Sequence, residues 1–344
     1  MKNNIKKILI IGGAGFIGHH LCLRFKDLGY NIKVIDSLSV NNYLSISEKN
    51  SKDYPHPKLS KLITSERFKL FKEKDILINK LDSRDYEDIN KEILKYDPNV
   101  IIHLAAVSHA NKSNVDPFNS FDHSLRTLEN VLDSSKKLEN LERFIYFSSS
   151  MVYGNFDADF VDENSKCDPI GIYGTLKYCC EKIIKAYSDV FGVQYTIIRP
   201  SALYGERCIS RRVGQIFIEN ALNGKDIVIN ADDNEKLDFT YINDLIHGII
   251  QVINNKNSVN QIFNITFGEG RNINTLVDIL RDFFNDLQIK KKDRDKLMPK
   301  RGKLLCDKAK NLIKYTPSWN LEKGYSNYIK WYVDFFERNK ENLK

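Results

Sequence analysis

The sequence lacks long apolar runs and clustered cysteines. No stretch of its 344 residues approaches the roughly twenty apolar residues that a membrane-spanning helix requires. The short apolar run near the N-terminus is interrupted by glycines and carries no cleavage pattern of a signal peptide. The six cysteines show neither CxxC spacing nor a Cys/His cluster, so we expect reduced thiols in a reducing compartment. These absences predict a cytoplasmic protein with no membrane partner and no metal site.

The charge balance has only a small excess of one sign. Lys and Arg number 52 against 45 Asp and Glu, and the formal net charge is +7. Such an excess fits either a nucleic-acid surface or a solvated surface that helps to hold an anionic substrate. Outside the segment Ile289–Arg301 the basic residues are scattered. We therefore expect an anionic substrate and no nucleic-acid partner.

Strand-like and helix-like segments alternate through residues 1–200. Apolar runs typical of buried parallel strands occur at Lys7–Ile11, Asn31–Ile35, Phe68–Lys72, Val100–His103, Arg143–Phe147 and Tyr195–Ile198. Helical periodicity occurs at Phe16–Leu28, Arg84–Lys95, Phe118–Lys136 and Tyr173–Phe191. The polar segment Val40–Lys61, with two prolines, indicates a surface insertion. The alternation predicts an α/β fold with a doubly wound parallel sheet of the Rossmann kind.

The pattern after residue 200 is mixed. Helices are expected at Arg212–Leu222 and Ile273–Leu287, and a strand is expected at Ile227–Ile229. We expect residues 201–344 to form a smaller mixed α/β lobe that binds substrate, next to a first domain of residues 1–200. Residues 236–256, which include the apolar helix Asn243–Ile253, are expected to return to the first domain.

A glycine-rich turn follows the first predicted strand and opens the first predicted helix. In a dinucleotide-binding turn, Gly12 permits the sharp bend, Gly15 lets the backbone approach the pyrophosphate, and Gly18 lets helix and strand pack closely. Phe16 and Ile17 then lie in the first turn of the helix, whose free N–H groups attract phosphate. Asp36 ends the second strand, where a carboxylate accepts hydrogen bonds from the ribose and repels a 2′-phosphate. This arrangement predicts NAD as the cofactor, rather than a tight turn of purely structural purpose.

Two further segments are expected at the same cleft, because ligands of such sheets bind at the carboxyl ends of the strands. Asp75 and Ile76 follow the predicted third strand and are expected to meet the adenine. Leu104, Ala105 and Ala106 follow the fourth strand, where small side chains allow the cofactor close to the backbone. Each segment has an ordinary alternative as a loop aspartate or a packed alanine pair.

A candidate catalytic pair lies in the predicted helix Tyr173–Phe191. Tyr173 and Lys177 are separated by four residues, so both side chains lie on one helix face. A nearby ammonium favours the phenolate of a tyrosine whose pKa is ordinarily about 10, which makes a general base. Ser149 follows the fifth strand, where its hydroxyl faces the same cleft. Taken alone, the tyrosine–lysine spacing also fits a solvated helix face.

These motifs together resemble the extended short-chain dehydrogenase/reductases. GGAGFIG, Asp36, LAA, SSSMVYG, YGTLK and RPSALYG occur in the order of that family and cover nearly the whole chain. The sequence is most similar to the UDP-glucose 4-epimerase group. The resemblance implies NAD-dependent inversion at C4 of a nucleotide sugar, with Ser149, Tyr173 and Lys177 as catalytic residues. It also implies a role in polysaccharide biosynthesis and a homodimer that uses the helices Phe118–Lys136 and Tyr173–Phe191.

The two residues after Ser149 separate branches of the family. Sugar 4,6-dehydratases carry Asp-Glu at the positions of Ser150 and Met151, and UDP-glucuronate decarboxylases keep a Glu at the second position. A thioether cannot transfer a proton, so the resemblance favours an epimerase over both relatives. Dehydration, decarboxylation or 4-keto reduction of another nucleotide sugar remain the enzymatic alternatives. A non-catalytic NAD-binding regulator is the alternative of another class.

The resemblance also assigns residues to the substrate side. Arg199 and Tyr204 lie in the segment that leads from the sheet to the nucleotide-sugar site, with Arg199 expected near the cofactor and Tyr204 near the substrate. Ala202 and Leu237 stand where relatives place an Asn and an Arg that bind the diphosphate. A buried diphosphate still requires cations. The expected phosphate-binding residues, together with Ser150 and Met151 on the sugar side, are Arg211, Arg212 and Arg301.

Overall fold

The computed structural model describes residues 6–46, 54–107, 110–229, 235–295 and 297–343. The strands are β1 Lys7–Ile11, β2 Asn31–Asp36, β3 Ile78–Lys80, β4 Val100–His103, β5 Arg143–Phe147, β6 Phe160–Val161, β7 Tyr195–Arg199, β8 Leu203–Tyr204, β9 Ile227–Ile229, β10 Lys236–Asp238, β11 Thr240–Tyr241, β12 Gln261–Asn264, β13 Gly270–Asn272, β14 Ile289–Lys291 and β15 Lys303–Leu304. The α-helices are α1 Phe16–Asp27, α2 Pro57–Glu73, α3 Tyr86–Tyr96, α4 Ala110–Val115, α5 Pro117–Phe121, α6 Thr127–Ser135, α7 Gly171–Phe191, α8 Val213–Leu222, α9 Ile242–Asn254, α10 Asn274–Arg281, α11 Asp307–Ile313, α12 Leu321–Arg338 and α13 Lys340–Leu343. A π-helical segment, Asp122–Arg126, makes α5 and α6 one continuous helical unit.

A seven-stranded sheet with the order β12-β7-β5-β4-β1-β2-β3 forms the centre of the molecule. Every neighbouring pair in it is parallel. Strands β4 and β5 are buried along their whole length, as continuous apolar runs in a two-sided parallel sheet require. The predicted doubly wound parallel sheet is therefore confirmed, and it opens its carboxyl ends toward one crevice.

The third strand lies elsewhere than predicted. Phe68–Lys72, predicted as a strand, belongs to helix α2, and the strand is the short segment Ile78–Lys80. The side chains of Leu59, Ile63, Arg67 and Phe71 are all buried. Their spacing of four is the period of one helix face, which overrides the local strand-like pattern. Pro57, counted in the predicted insertion, occupies the first turn of this helix, where a missing N–H costs nothing. Part of that insertion, residues 47–53, lies outside the described residues.

The second lobe is built from short strand pairs and helices. Its pairs are β10 with β13, β11 with β8, β14 with β9, and β15 with β6. Helix α10 ends at Arg281, before the predicted end at Leu287, and the chain continues into β14. Helix α9 packs against α1, and β12 then joins the edge of the large sheet beside β7. Among the described residues, no helix is long and apolar enough to cross a membrane.

Candidate active site

The glycine-rich turn is shaped by close backbone contacts. Gly12 has a φ of +80°, and a Cβ there would lie 2.9 Å from the amide nitrogen of Ala105. A Cβ on Gly18 would lie 2.5 Å from the Cα of Gly13. Both positions therefore exclude a side chain, because real Cβ atoms do not approach backbone so closely. The turn thus leaves α1 with an open N-terminus at the end of β1, which suits phosphate binding.

A cleft lies over this turn, with an open volume of about 900 Å³ when its solvent-exposed part is counted. The predicted cofactor-binding residues that line it are Gly12, Gly15, Phe16, Ile17, Gly18, Asp36, Leu104, Ala105 and Ala106. Residues that the sequence analysis did not single out also line it, among them Ser37, Val40, Asn41, Arg67, Asp82, Ser83, His123, Thr127, Ile209 and Ser210. The lining therefore comes from both lobes, and its chemistry fits a dinucleotide.

Asp36 is fixed at the ribose end of the cleft. One carboxylate oxygen accepts a hydrogen bond from the amide of Ala14 at 2.9 Å, and the other accepts one from the amide of Leu38 at 2.7 Å. Burial raises the pKa of Asp36, while these backbone hydrogen bonds oppose that rise. The carboxylate is thus oriented by the backbone at both oxygens and retains lone pairs for a ribose hydroxyl.

The predicted adenine contact at Asp75 and Ile76 is wrong in its placement. These residues lie between α2 and β3, before the third strand rather than after it, and they are absent from the cleft lining. Ile76 is buried in the core, and the carbonyl of Asp75 accepts a hydrogen bond from Lys26. Asp82 and Ser83 follow β3 and line the cleft instead. The short apolar segment before Asp82 was the sequence signal that could have identified Asp82 and Ser83 as residues at the end of the third strand.

The catalytic candidates lie on two elements that touch. Ser149 follows β5, and its hydroxyl oxygen accepts a hydrogen bond from the amide of Met151 at 3.2 Å. Helix α7 packs its first turn directly on this segment, because a Cβ on Gly174 would lie 2.8 Å from the carbonyl oxygen of Met151. Tyr173 is half-buried in that first turn, and Lys177 follows one turn later on the same face. The fold therefore joins the two segments that carry the three predicted residues, next to β4, whose following residues line the cleft. Ser149, Tyr173 and Lys177 do not themselves line that cleft, so their catalytic roles stay a prediction.

Lys177 is held by the end of β5. Its ammonium donates a hydrogen bond to the carbonyl oxygen of Phe147 at 2.7 Å and lies 4.9 Å from the centre of the Tyr146 ring. The neighbouring His103 ring packs between Phe144 and Tyr146. Burial, together with the Lys177 charge, lowers the pKa of His103 to about 3. The ammonium therefore has a neutral ring beside it rather than a second cation.

Arg199 and Tyr204 are placed away from the cleft. Arg199 donates to both carboxylate oxygens of Glu181, at 2.9 and 2.6 Å, within a buried ion pair. This pair joins β7 to α7, and Arg199 does not line the cleft. Tyr204 is buried among Tyr241 and Tyr325, with ring centres 5.5 and 6.1 Å away. Nη1 of Arg199 and the hydroxyl of Tyr204 are buried without a hydrogen-bond partner among the described residues. The predicted ligand contacts of these two residues stay predictions, because neither residue lines the cleft.

The predicted phosphate-binding arginines separate into two kinds. Arg211 donates to the buried carboxylate of Glu219 at 2.9 Å, so its charge is already matched. Arg212 lines the cleft, and its buried Nε atom has no hydrogen-bond partner among the described residues. The same holds for Nε of Arg301. Burial lowers the pKa of Arg301 to about 10, and the nearby charge of Arg212 acts in the same direction. Arg212 and Arg301 are thus half-buried cations whose Nε atoms lack partners, as expected for residues that bind an anion.

Ser150 and Met151 lie in the helical turn that follows β5. Ser150 is buried and donates from its hydroxyl to that of Ser201 at 3.3 Å. Met151 is 5% exposed. Neither residue lines the open cleft, so their expected sugar contacts stay a prediction. No group of His, Cys, Asp and Glu side chains in the described ranges is arranged to hold a metal ion.

Comparisons with known proteins agree on one family for this chain. A model of the NAD dependent epimerase/dehydratase family matches residues 8–266. An uncharacterized UDP-glucose epimerase from Bacillus subtilis is 29% identical over 335 residues, which are 96% of this chain and 99% of the relative. A putative UDP-glucose 4-epimerase from Methanocaldococcus jannaschii is 30% identical over 278 residues, which are 80% of this chain and 81% of the relative.

Solved structures show the same architecture. The UDP-glucuronic acid 4-epimerase of Bacillus cereus, in complex with UDP-glucuronic acid and NAD, has a TM-score of 0.84 at 24% identity. That match covers 95% of this chain and 99% of the other. The UDP-glucose 4-epimerase of Thermotoga maritima, with UDP-glucose, has a TM-score of 0.81 at 24% identity and covers the same shares. At this level of identity the likeness shows the fold.

Proposed function

Because this chain belongs to the NAD dependent epimerase/dehydratase family, we propose that it is an NAD-dependent 4-epimerase of a UDP-sugar. The observation that carries the proposal is the packing of the first turns of α7 against the segment Ser149–Tyr153, directly after β5. We propose that this packing lets the phenol of Tyr173, the ammonium of Lys177 and the hydroxyl of Ser149 act on one substrate atom. A binding protein without catalysis has no use for such a set.

The residues of this chain then divide the reaction among them. Bound NAD supplies a hydride acceptor that also returns the hydride. Tyr173 removes the proton from the 4-hydroxyl of the sugar and later returns it, and Ser149 donates a hydrogen bond to the same oxygen. Lys177, held by the carbonyl of Phe147, keeps a positive charge beside the phenolate. With NAD bound, inversion at C4 would require the 4-keto sugar to present its other face, while Tyr173 would give the proton back to the same oxygen.

The residue after Ser150 favours epimerisation over elimination. Met151 is nearly buried and offers no proton donor or acceptor of useful strength where a dehydratase needs an acid. The second candidate, a different nucleotide-sugar reaction of this family, is supported by a dTDP-D-glucose 4,6-dehydratase from Dictyostelium discoideum, which is 28% identical over 279 residues. Because relatives with either reaction exist, identification of the reaction products is needed to decide between the two candidates.

The test is to follow purified enzyme with UDP-glucose, UDP-N-acetylglucosamine and UDP-glucuronate by NMR. The expected result is inversion at C4 of at least one sugar, with no net NADH formed. Tyr173→Phe should retain NAD and lose about two to four orders of magnitude in kcat, the usual contribution of a general base. A 4-keto-6-deoxy product or released CO₂ would identify the second candidate, and no turnover of any nucleotide sugar would refute both.

We propose that Arg212 and Arg301 hold the diphosphate of the substrate. Their unpartnered Nε atoms and mutual proximity support this assignment, whereas Arg211 is bound to Glu219. The positions Ala202 and Leu237 offer no polar side chain for that purpose. Arg301→Met is therefore expected to raise KM about tenfold or more with a smaller change in kcat, as loss of a charge-assisted hydrogen bond predicts.

We also propose a homodimer formed by the helical unit α5–α6 and helix α7. Exposed apolar side chains on these helices support it: Phe118 is 82% exposed, Phe121 49%, Val190 71% and Phe191 50%. Sedimentation equilibrium should show a dimer, and Phe118→Asp should shift it to monomer. Phe160→Asp, at an exposed position on β6, is the control that should stay dimeric. A wild-type monomer would refute this arrangement.

The expected cellular setting is also a proposal. A cytoplasmic location is supported by six cysteines that are all free thiols. A role in polysaccharide biosynthesis follows from the nucleotide-sugar substrate and depends on the identity of that sugar.

A further inference from the structure

Helix α2 carries an arginine among the side chains that it buries. Arg67 is 1% exposed and lies in line with Ile63 and Phe71, which pack into the core. Within the described part of the chain it makes no ion pair with a carboxylate at salt-bridge distance. Burying an arginine is costly unless its donors are satisfied. The position therefore calls for a specific use of the guanidinium.

The guanidinium of Arg67 bridges the two lobes through backbone carbonyls. Its Nη1 atom donates to the carbonyl oxygen of Ala14, in the glycine-rich turn, at 3.3 Å. Its Nε atom donates to the carbonyl oxygen of Arg207 at 3.0 Å, and Nη2 donates to the same oxygen. Arg207 follows β8 in the second lobe and has a φ of +61°, an unusual backbone conformation for a residue with a side chain. A planar fork can make these bonds together, whereas a single ammonium cannot.

The dipeptide Glu206–Arg207 is also hydrogen-bonded to helix α1. Nε of Arg207 donates to Nε2 of His19 at 2.9 Å, and Nδ1 of His19 pairs with the carbonyl oxygen of Gly15 at 3.0 Å. Nε2 of His20 pairs with the carbonyl oxygen of Glu206 at 3.0 Å. A histidine nitrogen that accepts a hydrogen bond belongs to a neutral ring, so His19 is neutral with its proton on Nδ1. We call these five residues, His19, His20, Arg67, Glu206 and Arg207, the interlobe clamp.

The clamp residues Glu206 and Arg207 directly precede residues that line the cleft. Ile209, Ser210 and Arg212 line the same cleft as the glycine-rich turn, only a few residues beyond Arg207. The carboxylate of Glu206 in turn accepts hydrogen bonds from Tyr241 and Asn327, deep in the second lobe. The clamp therefore links the segment 209–212 by hydrogen bonds to the glycine-rich turn.

We propose that Arg67 is a positioning residue that couples NAD binding to binding of the substrate diphosphate by the segment 209–212. The inference rests on the proposed function in assigning Arg212 to the diphosphate. When the diphosphate fixes this segment, the clamp fixes the glycine-rich turn, and NAD leaves more slowly. Reciprocity then requires that bound NAD strengthens binding of the nucleotide sugar.

The experiment measures exchange of bound NAD on the holoenzyme. Enzyme that retains NAD is mixed with an excess of labelled NAD, with or without saturating UDP, and the exchange rate is followed. UDP is the probe because it carries the diphosphate and undergoes no reaction. In the wild type, UDP is expected to slow exchange about fivefold or more, the lower range of ordinary coupling between sites. In Arg67→Met and Arg67→Lys, exchange is expected to be faster, with the ratio between the two conditions close to one.

The controls separate coupling from loss of structure and from direct contact. Arg281→Met, at an exposed position of α10, should keep the wild-type ratio. Should Arg67→Met fail to fold, Arg67→Lys tests the bonds to the carbonyl of Arg207, and Arg207→Met tests the separate bond of the clamp to His19. Faster exchange with an unchanged UDP effect would show that Arg67 only contacts NAD, and would overturn the proposal. An absence of any UDP effect in the wild type would overturn it as well. Because the assay needs no turnover, its outcome is independent of whether the enzyme is an epimerase.

Discussion

Replacing His103 tests the electrostatic environment beside Lys177. His103 is 1% exposed, its ring lies 6.1 Å from the rings of both Phe144 and Tyr146, and neither ring nitrogen has a hydrogen-bond partner among the described residues. Phe at this position keeps an aromatic ring in the stack and removes the ionisable group. His103→Phe should therefore change how the free energy of unfolding depends on pH.

The sign and size follow from the two states of the histidine. Unfolded, it titrates near 6.5, while burial and the Lys177 charge lower its pKa in the folded protein to about 3. Above the unfolded pKa both states are neutral and His103 has no pH effect. Between the two values only the unfolded state takes up the proton, so stability falls as the pH falls. From about pH 7.5 to about pH 5 this amounts to about 2 kcal/mol, at about 1.4 kcal/mol per pH unit below 6.5.

The assay is urea unfolding at the two pH values, with NAD held at one saturating concentration. Groups other than His103 contribute equally to wild type and variant, so the difference between their pH dependences isolates this residue. The wild type should lose about 2 kcal/mol more than His103→Phe between the two conditions. His103→Asn, which also cannot ionise, should match the Phe variant in pH dependence although it is smaller. Equal losses in all three proteins would refute the reasoning.

Three further predictions address the cofactor site and the core. Gly12→Ala should weaken NAD binding about tenfold or more, because the new methyl group would clash with the amide of Ala105 and the φ of +80° would add backbone strain. Titration of the protein with NAD measures the affinity, and an unchanged affinity would contradict the prediction. Asp36→Ser should reduce the preference for NAD over NADP about tenfold, because it removes a carboxylate that repels the 2′-phosphate. Competition binding measures the ratio of the two affinities, and an unchanged ratio would show that Asp36 does not select the cofactor. Glu181→Ala should lower the free energy of unfolding by about 3–5 kcal/mol, because it leaves the buried charge of Arg199 unpaired. Urea unfolding measures this loss, and a value below about 1 kcal/mol would be incompatible with the buried ion pair.

The sheet was predictable where strands are continuous apolar runs. Strands β1, β4, β5 and β7 were predicted within one residue of their bounds, because both faces of a parallel sheet are covered. The third strand was missed, since β3 has only three residues and is half-exposed. Helix α2 presented a local strand-like pattern at Phe68–Lys72, and its period of four is visible only over the span from Leu59 to Phe71. The wrong placement of Asp75 and Ile76 followed from that one error.

The sequence by itself determined the elements whose chemistry is local. The turn around Gly12, the strand-end carboxylate of Asp36, and the i, i+4 pair of Tyr173 and Lys177 depend on backbone conformation within a few residues, which short motifs specify.

The use of each arginine was decided only by tertiary structure. A guanidinium binds whatever anion or carbonyl the fold places within reach, and the partner comes from elsewhere in the chain. Glu181 engages Arg199 and Glu219 engages Arg211, while Arg67 joins two lobes through carbonyls of Ala14 and Arg207. Of the three arginines predicted to bind phosphate, Arg212 and Arg301 keep an Nε atom without a partner in the described part of the chain, which follows from this distribution of partners and from no pattern around the residues themselves.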